Sequence, residues 1–168
     1  LLERAQEAGS QARAGGGGNV TVPHKELTVA ALTHPSPRVS AFGACNTFWG
    51  AGAEVHGENT DVDGVLTALE QLEAPATCWL IAGTGGGPRA AVAAAVSRGA
   101  RVAIRSRDAG RRREFEAWSA RLGAGQANPG DCEVLINSTP LGLNAGDHLP
   151  LALDVAPRAQ VALDMVYA

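Results

Sequence analysis

Residues 78–82 read Cys-Trp-Leu-Ile-Ala, an unbroken apolar run, and Gly83, Thr84, Gly85, Gly86 and Gly87 follow it directly. A strand apolar at every position is one buried on both faces, as in a parallel sheet covered by helices. Glycines placed directly behind such a strand let backbone N–H groups approach a pyrophosphate at the start of the next helix. The alanine-rich residues 90–98 supply that helix. The loop departs from the G-x-G-x-x-G pattern because Pro88 stands at the third glycine, and the same residues also read as a plain strand-to-helix turn. Proline is compatible with a first helical position, where its missing N–H has no partner to lose.

The alternation then continues. Residues 101–105 read as a strand, and residues 111–122 as a helix with Phe115, Trp118 and Leu122 on one face. Residues 134–137 and 161–165 read as further strands. Strands alternating with helices are expected to build an open, doubly wound parallel sheet. The fold class expected is therefore α/β, with a Rossmann-like domain over residues 61–168.

Residues 1–60 have another character, and we read them as part of a smaller α/β substrate-binding domain. Residues 1–14 suit a helix, and the glycines at 15–18 then suit a flexible joint or tight turn. Residues 20–22 form a short β-branched strand stopped by Pro23, with a helix expected over 24–32. Residues 45–49 and 54–57 flank Gly50-Ala51-Gly52 and predict a hairpin. Val62, Val65, Leu66, Leu69 and Leu72 then recur at helical spacing, with Thr60 or Asp61 available as the cap.

With 14 basic and 17 acidic residues the net charge is -3, too balanced for nucleic acid or an anionic membrane as partner. A small molecule is the expected partner. No apolar run approaches the roughly 20 residues of a membrane helix. Cys45, Cys78 and Cys132 lie far apart, which predicts ordinary packed thiols in a reducing compartment. His24, His34, His56 and His148 share no metal-ligand spacing, so no metal is expected.

An NAD site carries an acidic residue about 20 positions beyond the first glycine. Arg105, Ser106 and Arg107 occupy that place, and guanidinium groups there would hold a 2'-phosphate, which favours NADP. Arg111 extends the basic patch, while the nearby Asp108 keeps NAD in play.

Upstream, Lys25 follows Pro23 and His24 in residues 19–25, and Asp61 ends Asn59-Thr60-Asp61. With Gly43-Ala44, Asn46-Thr47, residues 83–89, residues 137–142 (Asn-Ser-Thr-Pro-Leu-Gly) and Asp164-Met165-Val166-Tyr167, these motifs stand in the order seen in one family. Over residues 19–167 the chain resembles shikimate dehydrogenase. That resemblance implies reversible NADP-dependent reduction of 3-dehydroshikimate to shikimate, on the route to chorismate and the aromatic amino acids. It implies a catalytic pair of Lys25 and Asp61, and substrate contacts from Thr21, Asn46 and Asp61. It places the cofactor on Gly83, Gly85, Gly86, Gly87, Arg89, Ser106, Arg107, Arg111, Thr139 and Met165. Residues 137–142 border the nicotinamide on this reading, or form a structural turn through Pro140 and Gly142. The family's substrate-binding serines near the N-terminus and glutamine near the C-terminus lie outside this chain. A quinate/shikimate dehydrogenase using NAD or NADP, and a non-catalytic NADP-binding fragment, are the alternatives. A cytoplasmic location is expected, and a homodimer is compatible with all three.

Overall fold

A computed structural model describes residues 15–151 and 153–166. The helix expected over residues 1–14 lies outside them. The chain divides into two compact units, Leu1–Asp61 and Val62–Ala168.

The second unit is built on one four-stranded sheet in the order β6-β5-β7-β8, parallel throughout. Its strands are β5 (Cys78–Ala82), β6 (Arg101–Arg105), β7 (Val134–Asn137) and β8 (Val161–Asp164). Every residue of β5 and β7 is buried, whereas edge strand β8 alternates between half-buried and exposed. That contrast is the physical content of the apolar runs: central parallel strands have no wet face. Leu80, Ile81 and Ile136 are fully buried, each contributing roughly 1.5–3 kcal/mol of apolar burial. The chain order reverses at β5, with β6 on one side and β7 on the other. In sheets of this kind that reversal opens a crevice at the strands' carboxyl ends.

Its described residues include three α-helices, α3 (Asp61–Gln71, whose first residue closes the first unit), α4 (Gly86–Ser97) and α5 (Ala109–Arg121). Val62, Val65 and Leu69 form the buried stripe of α3, as its spacing predicts. Ala90, Ala91, Ala93, Ala94 and Ala95 are all buried, and their small side chains bring α4 close against β5 and β6. The helix begins earlier than the alanine run suggests, so Pro88 is its third residue rather than its first. It still lies in the first turn, where backbone N–H groups lack helical partners.

The first unit carries a mixed sheet in the order β1-β3-β4-β2, comprising β1 (Gly17–Asn19), β2 (His34–Pro35), β3 (Thr47–Ala51) and β4 (Glu54–Glu58). The expected hairpin forms, but Gly50 and Ala51 are paired residues of β3 and the turn falls later, at Gly52 and Ala53. The glycine run, however, is not simply a joint: Gly17 and Gly18 pair antiparallel with Trp49 and Phe48. A Cβ on Gly17 would sit 2.7 Å from the Phe48 carbonyl oxygen, so glycine here permits a close strand approach. Residues 20–22, expected as a strand, lie beyond the end of β1. The helix expected over 24–32 is α1 (Lys25–Thr28) followed by a 3-10 turn at Val29–Ala31. The short helix α2 (Pro37–Phe42) has Ser36 as its cap, Oγ accepting from Val39 N at 3.1 Å.

The cysteines depart from expectation. Cys78, the first residue of β5, and Cys132, two residues before β7, are joined as a disulfide with Cα atoms 4.5 Å apart. Fifty-four residues of sequence separate them, and only parallel pairing of the strands makes them neighbours. Cys45 is free and buried.

Candidate functional site

The first unit gathers its polar chemistry around Lys25 and Asp61. Lys25 opens α1, and its carbonyl accepts from Cys45 N at 2.8 Å, which ties the helix start to the buried stretch Ala44, Cys45 and Asn46. That stretch is held in turn, with Asn46 N donating to Glu58 O at 3.1 Å and Val20 N donating to Asn46 O at 2.7 Å. Lys25 Nζ donates to Asp61 Oδ2 at 2.6 Å. The side chains are 14% and 21% exposed, enough shielding from water for the ion pair to hold its geometry.

Asp61 is fixed from three sides. Its Oδ2 takes Lys25, its Oδ1 accepts from Asn46 Nδ2 at 2.8 Å, and its backbone N–H donates to Asn59 Oδ1 at 3.2 Å. The Asn59 side-chain oxygen thus takes the first N–H of α3, a partner that the expected caps Thr60 and Asp61 did not include. Asn59 is fully buried and donates from Nδ2 to Ala44 O at 2.9 Å. Its role was not evident from spacing alone, although a buried amide between a strand and a helix is a common device for satisfying stray backbone groups.

Asn46 has the densest set of partners. Its Oδ1 accepts from Thr60 N at 2.9 Å and from Thr47 Oγ1 at 3.2 Å, while Nδ2 reaches Asp61 Oδ1. Truncation would leave the Thr60 N–H and one Asp61 oxygen without their amide. We expect Asn46→Ala to lower the unfolding free energy by about 1–3 kcal/mol, measured by urea denaturation. Thr21 is exposed, and its carbonyl accepts from His24 N at 2.9 Å. Cys45 lies behind this cluster as a packed thiol; burial pushes it up, and its Sγ donates to Thr47 O at 3.2 Å.

In the second unit the glycine loop leaves the carboxyl end of β5. Gly83 has φ +113°, a conformation that favours glycine. A Cβ there would lie 2.8 Å from Pro88 Cγ and 3.0 Å from the Ser138 carbonyl oxygen. A Cβ on Gly87 would collide with Ser138 Oγ. Gly85, the N-cap of α4, has open space where its Cβ would stand and no side-chain cap. The loop is thus packed tightly at Gly83 and Gly87 and open at Gly85, so the bare start of α4 can receive an anion.

At the end of β6, Arg105 O accepts from Gly83 N at 2.9 Å, binding the two loops together. Ser106 and Arg107 follow, and Ser106 Oγ accepts from Asp108 N at 3.3 Å. Asp108 Oδ1 caps α5 by accepting from Gly110 N at 2.8 Å and Arg111 N at 3.0 Å. Hydrogen bonds from the Arg111 and then the Gly110 N–H hold its carboxyl below the ordinary range. The one acidic residue near the expected ribose position is therefore engaged as a helix cap. Arg89 packs its guanidinium 4.6 Å from the Trp118 ring centroid, an interaction that its place beside the glycines did not signal.

The segment after β7 is held by Asn137, whose Nδ2 donates to Leu141 O and to Asp164 Oδ1, each at 3.0 Å. Its Oδ1 accepts from Thr139 N at 3.0 Å and Thr139 Oγ1 at 2.8 Å, and its carbonyl accepts from Met165 N at 2.9 Å. Thr139 and Met165 are thus both held by Asn137 at the ends of β7 and β8, the first by its side-chain amide and the second by its backbone carbonyl. Asn137 and Asp164, not Pro140 and Gly142 alone, make the turn.

A parallel sheet with a glycine loop where its strand order reverses, joined to a unit that holds a lysine–aspartate pair, defines a Rossmann-like α/β protein. No family model matches the chain. A curated NADP+-dependent shikimate dehydrogenase of Brucella ovis is 36% identical over 90% of this chain and 57% of its own length. The corresponding protein of Nitrobacter winogradskyi is 35% identical over the same shares. Among solved structures, shikimate 5-dehydrogenase from Thermus thermophilus, in complex with NADP(H) and shikimate, superposes with a TM-score of 0.82 at 30% identity. That match covers 99% of this chain and 63% of the other. The chain is similar to these shikimate dehydrogenases, and it spans 57% of the length of the curated relatives it matches.

Proposed function

We propose that this chain carries the proton-transfer and cofactor-binding residues for NADP-dependent, reversible reduction of 3-dehydroshikimate to shikimate. The observation that carries the proposal is the 2.6 Å contact between Lys25 Nζ and Asp61 Oδ2, with Asn46 on the other carboxylate oxygen. When bound, NADP(H) would supply or accept the hydride at the carbon bearing the reacting oxygen. Lys25 handles the proton. In the reducing direction its ammonium donates to the carbonyl oxygen, and in the oxidising direction its amine takes the hydroxyl proton. Asp61 orients Lys25 and, through its share of the Asn46 network, the substrate hydroxyls. Asn46 and Thr21 add substrate contacts.

For the cofactor, the uncapped N-terminus of α4 at Gly85, Gly86 and Gly87 suits a pyrophosphate, and Gly83 permits the turn that leads into it. Ser106, Arg107 and Arg111 suit a 2'-phosphate, supported by the engagement of Asp108 in capping α5. Thr139, Met165 and the Arg89 backbone complete the proposed set. We expect Arg107→Ala to weaken NADP+ by about tenfold or more, through loss of charge-assisted bonds. NAD+ affinity should stay unchanged, and fluorescence titration of both dinucleotides would show the difference.

The domain limits that go with this reading are 1–60 for the substrate domain and 61–168 for the NADP domain. A cytoplasmic location and a homodimer belong to the same proposal. Among the described residues no helix is long and apolar enough to cross a membrane. The deciding experiment supplies the purified chain with shikimate and NADP+ and follows NADPH. Turnover lost in Lys25→Ala supports the proposal, and turnover indifferent to that change overturns it. Binding of NADPH without turnover in either would favour a cofactor-binding fragment.

A further inference from the structure

We propose that His34, Glu54 and His56 form a binding site for a zinc-class divalent cation on one face of the first unit's sheet. His34 and His56 are direct register partners on β2 and β4, and Glu54 lies two residues before His56 on the same strand. Strand geometry therefore turns all three side chains to the same face. The 22 residues that separate the histidines in sequence concealed this pairing.

The ligand atoms converge. His34 Nε2 is 3.7 Å from Glu54 Oε1, and His56 Nε2 is 3.4 Å from Glu54 Oε2. One potential ligand atom from each residue lies within 4.8 Å of the others. Ligands about 2.0–2.1 Å from a tetrahedral zinc ion stand roughly 3.4 Å from one another, so small side-chain rotations close the set.

The hydrogen bonding around His34 is compatible with a bare Nε2 facing that point. Thr33 Oγ1 donates to Val55 O at 3.2 Å and accepts from Val55 N at 2.7 Å. It also lies 3.2 Å from His34 Nδ1, and the tautomer protonated at Nδ1 would donate to it and leave Nε2 bare toward the Glu54 carboxylate. An outer-shell hydrogen bond of this kind is the usual way a ligating imidazole is oriented. His56 Nε2 is shielded from solvent and, apart from the Glu54 carboxylate at 3.4 Å, meets no polar partner among the described residues. Trp49, its register partner on β3, stacks on the ring with centroids 5.5 Å apart, and His34 stacks at 5.0 Å. With both imidazoles neutral, two ring nitrogens and a carboxylate face one another and are complementary to a cation.

Two histidines and one glutamate are borderline ligands that favour zinc over magnesium, and three protein ligands leave a fourth position for water. The half-exposed His34 and Glu54 give the ion a route from solvent. An ion here would tie edge strand β2 to the β3–β4 hairpin. The proposal does not depend on the dehydrogenase reading.

The test titrates the untagged chain with Zn2+ against a chromophoric chelator, and with Co2+ followed by its visible absorption. Micromolar or tighter zinc binding at one equivalent is expected, with no competition from Mg2+. His34→Ala and His56→Ala should each weaken binding more than about 100-fold, beyond the range for loss of an outer-shell partner. Glu54→Gln should weaken it at least about tenfold, and His148→Ala should leave it unchanged. Circular dichroism of each variant would establish that it is folded. Absence of binding by the parent chain, or full binding by folded His56→Ala, would overturn the proposal.

Discussion

Lys25→Ala is expected to reduce kcat for NADP+-linked shikimate oxidation by about two to four orders of magnitude, the usual contribution of a positioned general acid or base. Lys25 is a short step from the chemistry in this proposal, because its Nζ is the group that exchanges the proton. Asn46 Nδ2, which also meets Asp61, cannot replace it, because an amide cannot accept the proton back. NADPH affinity should remain within about twofold, since the glycine loop belongs to the other unit. Removing Lys25 also leaves the Asp61 carboxylate with only part of its hydrogen bonding, at a cost of about 1–3 kcal/mol. Melting curves must therefore accompany the kinetics. Asp61→Asn should lower kcat as well, because an amide does not hold the ammonium by charge. Steady-state kinetics in both directions would check these outcomes, and a Lys25→Ala protein with full kcat would remove lysine from the mechanism.

Gly83→Ala is expected to cost both stability and cofactor affinity. Alanine at φ +113° carries about 1–3 kcal/mol of backbone strain, before its Cβ meets Pro88 Cγ at 2.8 Å and the Ser138 carbonyl at 3.0 Å. One of those neighbours is backbone and the other a ring in the first turn of α4, so neither moves without moving the loop. A loop displaced at that cost would weaken NADP+ by at least about tenfold, given that 1.4 kcal/mol corresponds to a factor of ten. Gly85→Ala separates the two effects. Gly85 has φ -100° and open space at its Cβ, so stability should change by less than about 1 kcal/mol, its value for Gly-to-Ala changes at compatible sites. The added methyl would instead occupy the approach of the phosphate, and affinity alone should fall. Urea unfolding with NADPH titration of both variants would show the split.

The second unit was legible because its signals are local. Cys78–Ala82 is apolar at every position, and that property survives in any sheet that covers both faces. Gly83 must be glycine for its own φ, whatever surrounds it. The order of strands and helices after it leaves few topologies. The first unit was less legible, because its signals are shared between distant residues. Gly17 and Gly18 read as a joint until β3 lies beside them. In the second unit, Pro88 breaks the glycine pattern, and it fits because α4 begins two residues before it.

By itself, then, the sequence determined the identity and order of the chemical groups: a buried strand, a glycine turn, basic residues after the next strand, and Lys25 and Asp61 upstream. These depend on residue type, local backbone preference and periodicity, all of which are written along the chain. Tertiary structure decided which groups meet. It set Asn59 and Asn46 on Asp61, Asp108 on α5, Asn137 on Thr139 and Met165, Cys78 on Cys132, and His34 on His56 beside Glu54. Strand register and side-chain hydrogen bonds between residues far apart in sequence fix those encounters, and no local preference encodes them.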